Sequence, residues 1–228
     1  MSSAIDRKRG VDAPQETLRL RLTATRRRSR DLAAPLTPED QCAQAMDDAS
    51  PTKWHLAHTT WFFETFVLEP FLPDYRTFDR RFKYCFNSYY ESEGPRQPRP
   101  RRGLLTRPTS EEVAAYRAHV DHALDELFAR DLARDAEIAE RLELGAHHEE
   151  QHQELLLTDI LALFAASPLR PAYRAASRAR PRQRRRSAGV GTMAVWSKSA
   201  PTARASPSTT SVRATRSGSN HSRSPIGS

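Results

Sequence analysis

Two histidines four residues apart, His148 and His152, are the residues whose type and spacing most clearly suggest chemistry. They lie in an acidic, glutamine-containing segment, residues 147–154. On a helix, residues i and i+4 project from the same face, so both imidazoles can bind one metal ion. His147 points about 100° away from His148, because successive helical residues rotate by that angle. Two surface histidines on an acidic helix would show the same spacing, so the pair alone does not establish a metal site.

His58 is the best candidate for a third ligand. It lies one helical turn after Trp54 and one turn before Phe62, and therefore shares their apolar face. His55, three residues earlier, could compete with it. A single histidine on an apolar face is more often a hydrogen-bonded core residue, but together with His148 and His152 it becomes a plausible ligand. Three neutral nitrogen ligands leave coordination positions open, which suits a catalytic zinc or a non-haem iron.

A second group of residues could recognise a substrate. The tyrosine-containing segment 87–91 precedes the proline- and arginine-rich segment 96–103. Prolines and tyrosines could hold one or two guanidinium groups toward a carboxylate, which arginine binds in bidentate fashion. A solvated basic loop is the simpler interpretation, and it is the one predicted for Arg101, Arg102 and Arg107.

Four long helices are predicted to position these side chains. The prediction rests on apolar residues three and four positions apart and on residues that typically begin or end a helix. The four helices cover residues 14–34, Ser50-Pro51 to Pro70, the capping box Thr109–Glu112 through Phe128, and about 133 to Ala166, and Thr37-Pro38 starts a further short helix. Residues 70–108 form a long connection, whose aromatic residues indicate that it is packed. No segment alternates as a strand would. The sequence predicts an all-α bundle of four main helices with a long crossover between the second and third.

The formal net charge of +8 is unevenly distributed. Residues 174–228 contain 12 of the 36 Lys and Arg residues and none of the 28 Asp and Glu residues. Residues 1–173 therefore carry 24 basic and 28 acidic side chains, a formal charge of −4. The last segment, poor in apolar residues, is predicted to be a disordered basic tail that binds nucleic acid only non-specifically.

Membrane and secretory classes are excluded by what the sequence does not contain. No apolar stretch approaches the roughly 18 residues of a membrane span. The charged N-terminus, Met1 to Gly10, has no apolar segment typical of a secretory signal. Cys42 and Cys85 do not form a disulfide framework and are predicted to be buried thiols. We therefore expect a soluble cytoplasmic protein.

Residues from about 15 to 173 closely resemble the N-terminal half of the ergothioneine-biosynthesis sulfoxide synthases (EgtB type), which has a DinB-like four-helix fold. The resemblance rests on the order and spacing of several motifs. These are Ser50 to His58, Trp61 to Phe66, Phe86 to Tyr90, Arg96-x-Pro-Arg99 with Arg102 to Leu105, and His148 to His152.

The resemblance implies an activity and a set of site residues. Members of the family are non-haem iron(II) enzymes that use O2 to join a thiol, cysteine or γ-glutamylcysteine, to the imidazole of hercynine, giving a sulfoxide. The resemblance makes His58, His148 and His152 the iron ligands. It also implies that Gln151 contacts the hercynine imidazole. It implies that the thiol substrate's carboxylate is held by two arginines, and that two tyrosines line its pocket: Arg96, Arg99, Tyr89 and Tyr90.

Family members continue into a second domain that resembles formylglycine-generating enzyme and supplies a catalytic tyrosine. The expected organisation here is a disordered N-terminus at 1–14, the metal-binding bundle at 15–173 and the tail at 174–228. Codons permitted for Arg186–Ser228, read from their third base, allow a string ending DNECPRHTVWLEPLALADR, which resembles the start of that second domain. We therefore expect the tail to be a frameshifted remnant, and the chain to show little or no turnover.

Two other functions remain open at this stage. A DinB-type thiol S-transferase would use the same three histidines with zinc or nickel and without O2. A nucleic-acid-binding module would act through the tail and leave the metal site without a role in binding. Whether the chain is itself an enzyme stays open, because the second domain, which in the family supplies the catalytic tyrosine, is expected to be missing from it.

Overall fold

The computed structural model describes residues 2–175, with side chains from Pro14 onward. It contains seven α-helices in this part of the chain: α1 Ser2–Ala33, α2 Pro38–Cys42, α3 Thr52–Phe63, α4 Glu69–Phe71, α5 Phe82–Phe86, α6 Ser110–Ala129 and α7 Ala136–Ala166. Residues 2–175 contain no strand, which confirms the predicted all-α class. From residue 176 onward, the predicted tail lies outside the described residues.

Side-chain caps fix the starts of three helices. Thr109 and Glu112 form the predicted capping box at α6, and Thr37, where the sequence predicted a helix start, forms another with Asp40 at α2. In each box the Thr hydroxyl accepts from the backbone N–H three residues later, while the carboxylate accepts from the Thr N–H. The Asp135 carboxylate caps α7, which ends at Ala166 as predicted.

The predicted helix start at Ser50-Pro51 differs in its cap. The helix α3 begins at Thr52, with Pro51 at the N-cap position and no side-chain cap. Ser50 does not cap the helix, because its hydroxyl accepts a hydrogen bond from Arg102 and its N–H donates to Asp159. The residue thus joins two distant parts of the chain.

The helix that was predicted to end at Pro70 continues for one more residue, to Phe71. After α3 the chain passes through a π-helical turn, Glu64–Leu68, into α4, and Leu72 is extended. Proline has no N–H, so the carbonyl four residues before it needs another donor. Arg141 of α7 supplies one, donating to the Phe66 oxygen over 3.2 Å.

The sequence predicts a disordered N-terminus at residues 1–14, and the backbone of residues 2–14 is helical in the structure. The helix α1 begins at Ser2 and includes Pro14. Extending an existing helix adds one hydrogen bond for each residue fixed, whereas starting one is costly. The helix therefore continues through positions where proline and glycine are intrinsically unfavourable.

The buried helix α3 is the centre of the bundle. All of its twelve residues are buried, and it packs against α6 and α7, while α7 also packs against α1. The largest fully buried side chains include Trp54, Trp61 and Phe63 of α3. A helix that is buried on every side places any polar residue it carries inside the protein.

The crossover between α4 and α6 is packed, as its aromatic residues predicted. It contains α5 and two short 3₁₀ turns, Glu91–Glu93 and Arg99–Leu104. The buried carboxylate of Glu64 fastens it to the bundle by accepting from the Tyr75 hydroxyl over 2.7 Å, the Phe78 N–H over 3.0 Å and the Tyr116 hydroxyl. Burial is the first cause, and Glu64 the second, of the raised pKa values of both tyrosines.

The helices α3 and α7 approach each other closely at Gly145. A Cβ at this position would lie 2.3 Å from a ring carbon of Phe63 and 3.0 Å from one of Phe62. Gly145 lies in α7, three residues before His148. Its lack of a side chain therefore sets how near the face of α7 that carries His148 comes to α3.

We predict that Gly145→Ala destabilises the protein. Overpacking against Phe63 costs about 1–3 kcal/mol, while alanine recovers about 1 kcal/mol of helix propensity, so a net loss of up to about 2 kcal/mol is expected. Urea unfolding at 25 °C measures it. Glu154→Ala, at an exposed position of α7, is the control and should change the unfolding free energy by less than about 0.5 kcal/mol. A Gly145→Ala protein more stable than wild type would contradict the close approach.

Candidate metal centre

The helices α3 and α7 bring the three predicted ligands together. One nitrogen from each of His58, His148 and His152 lies within 4.8 Å of the other two. The Nε2 atoms of His58 and His148 are 3.1 Å apart. Two nitrogens bound at about 2.1 Å to one metal ion lie about 3.0–3.4 Å apart, so this pair already has ligand spacing.

His58 is oriented by its surroundings. Its Nδ1 lies 2.6 Å from the carbonyl oxygen of Phe86 and donates to it, which leaves the Nε2 lone pair free. The Trp54 ring stacks on the imidazole, with centroids 4.6 Å apart and planes at 12°. The indole is held in turn by its N–H, which donates to the Cys85 carbonyl over 3.0 Å. Such contacts fix the tautomer and ring orientation of a metal-binding histidine.

His55, which competed with His58 in the sequence, does not belong to the three-histidine group. Its Nδ1 lies 2.9 Å from Nδ1 of His152, and its Nε2 lies 3.0 Å from Oδ2 of Asp159. It is buried, with 2% of its surface exposed. His55 therefore hydrogen-bonds to one of the three histidines, His152, and is not itself one of them.

Burial keeps the three imidazoles neutral. Desolvation is the main cause that lowers the pKa of His58 well below its usual value, and the pKa of His148 to about 4. Desolvation and the neighbouring His58 and His55 also lower the pKa of His152. Neutral imidazole is the form that binds metal ions, and the buried Nδ1 of His148 has no hydrogen-bond partner. Three neutral nitrogen donors that face one another fit a metal ion such as zinc or iron.

The three histidines line a cavity of about 280 Å³ together with most of the predicted substrate residues. Gln151, Tyr89, Tyr90 and Arg99 are all in its wall. Arg96 does not reach this cavity but lines a second one of about 330 Å³. The two cavities share four wall residues: Ser88, Tyr89, Arg99 and Arg102.

The prediction that Arg102 is solvated is wrong. Its guanidinium carbon lies 3.4 Å from the centroid of Trp54, and it donates to the Ser50 and Ser88 hydroxyls over 2.9 and 3.1 Å. Burial and the nearby Arg99 lower its pKa to about 10. None of the ion pairs found within residues 14–175 includes Arg102. No local signal in the sequence separates it from the neighbouring Arg101, because its burial depends on contacts with residues about 50 positions earlier in the chain.

The cysteines are less buried than predicted. Cys42 and Cys85 are both free and half-buried. Burial raises the pKa of the Cys85 thiol, so that thiol is mainly protonated near neutral pH. Neither cysteine belongs to the three-histidine group.

An ionic cluster that the sequence did not reveal lies on the other side of α7. Glu149, next to His148, is 1% exposed and accepts from Arg26 over 3.0 Å and from Arg117 over 2.7 Å. Burial alone would raise the pKa of Glu149, but the two arginines outweigh it and lower the pKa to about 2. Arg26 also pairs with Asp121. The cluster joins α1, α6 and α7 and holds the rotation of α7 about its axis.

Comparison with known families places the chain in a class. The family model of the DinB superfamily matches residues 21–156, so the chain belongs to this superfamily of metal-binding helical domains. No curated protein matches the sequence. In the described part of the chain, no helix is both long and apolar enough to cross a membrane.

We predict that Glu149→Gln destabilises the protein by about 3–5 kcal/mol at pH 7, because it leaves the buried guanidinium group of Arg117 without its anion and that of Arg26 with Asp121 alone. The pKa of Glu149 is about 2 when folded, against an ordinary value of 4.5. Its stabilisation is therefore present above pH 4.5 and is lost as the pH falls toward 2. Urea unfolding across this range should show the difference between wild type and variant shrinking.

Glu150→Gln is the matched control, since the neighbouring Glu150 side chain is 42% exposed and pairs with Arg21 at the surface. It should cost less than about 1 kcal/mol. Equal effects of the two substitutions at pH 7 would show that Glu149 is not the anion that neutralises the two arginines.

Proposed function

We propose that this domain is the iron(II)-binding half of a sulfoxide synthase that joins the thiol of cysteine or γ-glutamylcysteine to hercynine, using O2. One observation carries the proposal: three neutral imidazoles face a cavity whose other wall is rich in arginine. Neither the 280 Å³ cavity nor the 330 Å³ cavity has an aspartate or glutamate in its lining. A cavity of this kind suits a substrate that combines a metal-binding thiol with a carboxylate.

The arginines supply donors for that carboxylate. The buried Nε atoms of Arg99 and Arg102 have no hydrogen-bond partner. Leaving a buried donor unpaired is costly, so an arriving carboxylate would relieve that cost at both atoms. Nη1 of Arg99 donates to the Tyr89 hydroxyl over 3.3 Å, which steadies the guanidinium. Arg96 lines the second cavity, of about 330 Å³, and would bind a carboxylate at the distal end of the thiol substrate.

Gln151 would bind the other substrate, hercynine, and Tyr90 forms part of the cavity wall. Gln151 precedes His152 in α7 and has an exposed side chain. Its amide can both donate and accept, and so it can hydrogen-bond the hercynine imidazole. Tyr90 is half-buried against Phe62 and Phe66, with ring centroids 6.3 and 4.8 Å apart, and closes one side of the cavity.

Iron(II) bound by His58, His148 and His152 would lower the pKa of the substrate thiol and transfer electrons to O2. The protein's own contribution is to bind both substrates beside that position and to orient them. Burial of the three imidazoles also keeps bulk water away from them. We also propose that the protein acts in the cytoplasm, where its substrates and iron(II) would be available.

We also propose that a second domain completes the reaction and that residues 186–228 are read in a shifted frame. The codons allowed by this segment permit a string that resembles the start of a formylglycine-generating-enzyme-like domain. Sequencing the genomic DNA tests this. The expected result is an open, homologous reading frame that continues beyond the codon for Ser228. A shifted frame that is closed by stop codons would contradict it.

The metal centre can be tested with the 228-residue chain itself. Under anaerobic conditions, Fe(II) should quench the emission of Trp54, which is buried and stacked on His58, and should saturate at one ion per chain. His152→Ala should weaken this binding by more than about 100-fold. His122→Ala, at an exposed position of α6, is the control and should bind like wild type. Equal binding by both variants would contradict the proposed ligands.

Product analysis then tests the reaction. After addition of hercynine, cysteine and O2, mass spectrometry should find little or no sulfoxide with the chain alone and clear product with the chain restored to the continuing frame. Sulfoxide formation by the 228-residue chain at the rate of the restored chain would contradict the need for a second domain. Thiol transfer with zinc or nickel and without O2 would favour the S-transferase function instead.

A further inference from the structure

A chain of hydrogen bonds leads from one of the three histidines, His152, to Ser50. The Ser50 N–H donates to Oδ2 of Asp159 over 2.8 Å. The same oxygen lies 3.0 Å from Nε2 of His55, and Nδ1 of His55 lies 2.9 Å from Nδ1 of His152. His55 belongs to α3 and Asp159 to α7, seven residues after His152. The chain therefore joins the two helices that carry the three histidines.

The direction of these hydrogen bonds follows from the groups that form them. A backbone N–H can only donate, so Oδ2 of Asp159 is an acceptor. An ionised carboxylate has acceptors only, so His55 must donate to it from Nε2–H. A neutral His55 then carries a lone pair on Nδ1. His152 must donate to that lone pair from its own Nδ1–H, which leaves Nε2 of His152 free.

We propose that Asp159 and His55 are positioning residues that fix the tautomer and ring orientation of His152, so that its Nε2 is presented to the metal. This inference rests on the metal centre proposed above. Ordinary metal-binding histidines donate their second N–H to one carbonyl or carboxylate. Here an imidazole stands between the histidine and the carboxylate, which places the negative charge one residue farther from the metal.

The other two histidines of the site are held differently. His58 donates from Nδ1 to the Phe86 carbonyl, whereas the buried Nδ1 of His148 has no hydrogen-bond partner. At Nδ1 the three imidazoles thus have three distinct environments: a backbone carbonyl for His58, a histidine–carboxylate pair for His152, and no hydrogen-bond partner for His148. Among them, only His152 depends on a carboxylate that can be substituted without changing the backbone or a ligand.

The tautomers can be read directly in the metal-free chain. Long-range ¹⁵N–¹H correlation spectra of histidine-labelled protein should show Nδ1–H for His152, Nδ1–H for His58 and Nε2–H for His55. Spectra of His55→Ala and His152→Ala assign the signals. An Nε2–H tautomer at His152 in the wild-type chain would overturn the inference, whatever the behaviour of any variant.

Metal affinity gives the second test. Asp159→Ala should weaken anaerobic Fe(II) binding by about 10- to 100-fold, the range found for supports of this kind. Asp159→Asn keeps an acceptor oxygen at the same position and should recover most of the affinity. Glu154→Ala, an exposed acidic position of the same helix, is the matched control and should bind like wild type.

The outcomes separate the inference from the function on which it rests. A wild-type chain that does not bind Fe(II) would refute the proposed metal centre, while the spectra would still test the tautomers. Wild-type binding with unchanged affinity in Asp159→Ala would refute the positioning role alone. Circular dichroism melting accompanies each variant, and a loss of stability shared equally by Asp159→Ala and Asp159→Asn, with no difference in their affinities, would also overturn the inference.

Discussion

The site forms only when the histidine face of α7 is turned toward α3. The buried carboxylate of Glu149 restrains the rotation of α7 about its own axis. Glu149 follows His148 directly, so it points about 100° away from the histidine face. Its pairing with Arg26 and Arg117, both buried, fixes that direction inside the bundle. Gly145, one turn earlier, sets the distance from α3. Rotation and distance together decide whether the imidazoles of α7 meet His58.

The two sides of α7 differ in how their buried charges are balanced. Behind α7, buried arginines are neutralised by Glu149 and Asp121. In front of it, Arg102 stacks on Trp54, which stacks on His58, and among the described residues no carboxylate forms an ion pair with that arginine. Burial and this positive charge both favour neutral imidazoles. The same charge favours an anionic ligand, whereas the burial that keeps the imidazoles neutral favours metal binding.

The sequence predicted the features that depend on local patterns. Helix caps at Thr37 and Thr109, the end of α7 and the pair His148 and His152 all follow from spacing within one turn. Spacing alone favoured His58 without excluding His55, since both lie near one face of the same helix, and it was the family resemblance that assigned His58. Only the packing of α3 on α7 decides between the two. The burial of Arg102 and the cluster around Glu149 were not predictable, because their partners lie 14 to 123 residues away.

X-ray absorption at the iron edge of the anaerobically loaded chain tests the central claim most directly. The scattering of imidazole rings beyond the first coordination shell is distinctive and gives their number. The expected result is three histidine ligands, matching His58, His148 and His152, with the remaining positions occupied by light atoms. A spectrum with one imidazole or none would contradict the site on which the proposed function rests.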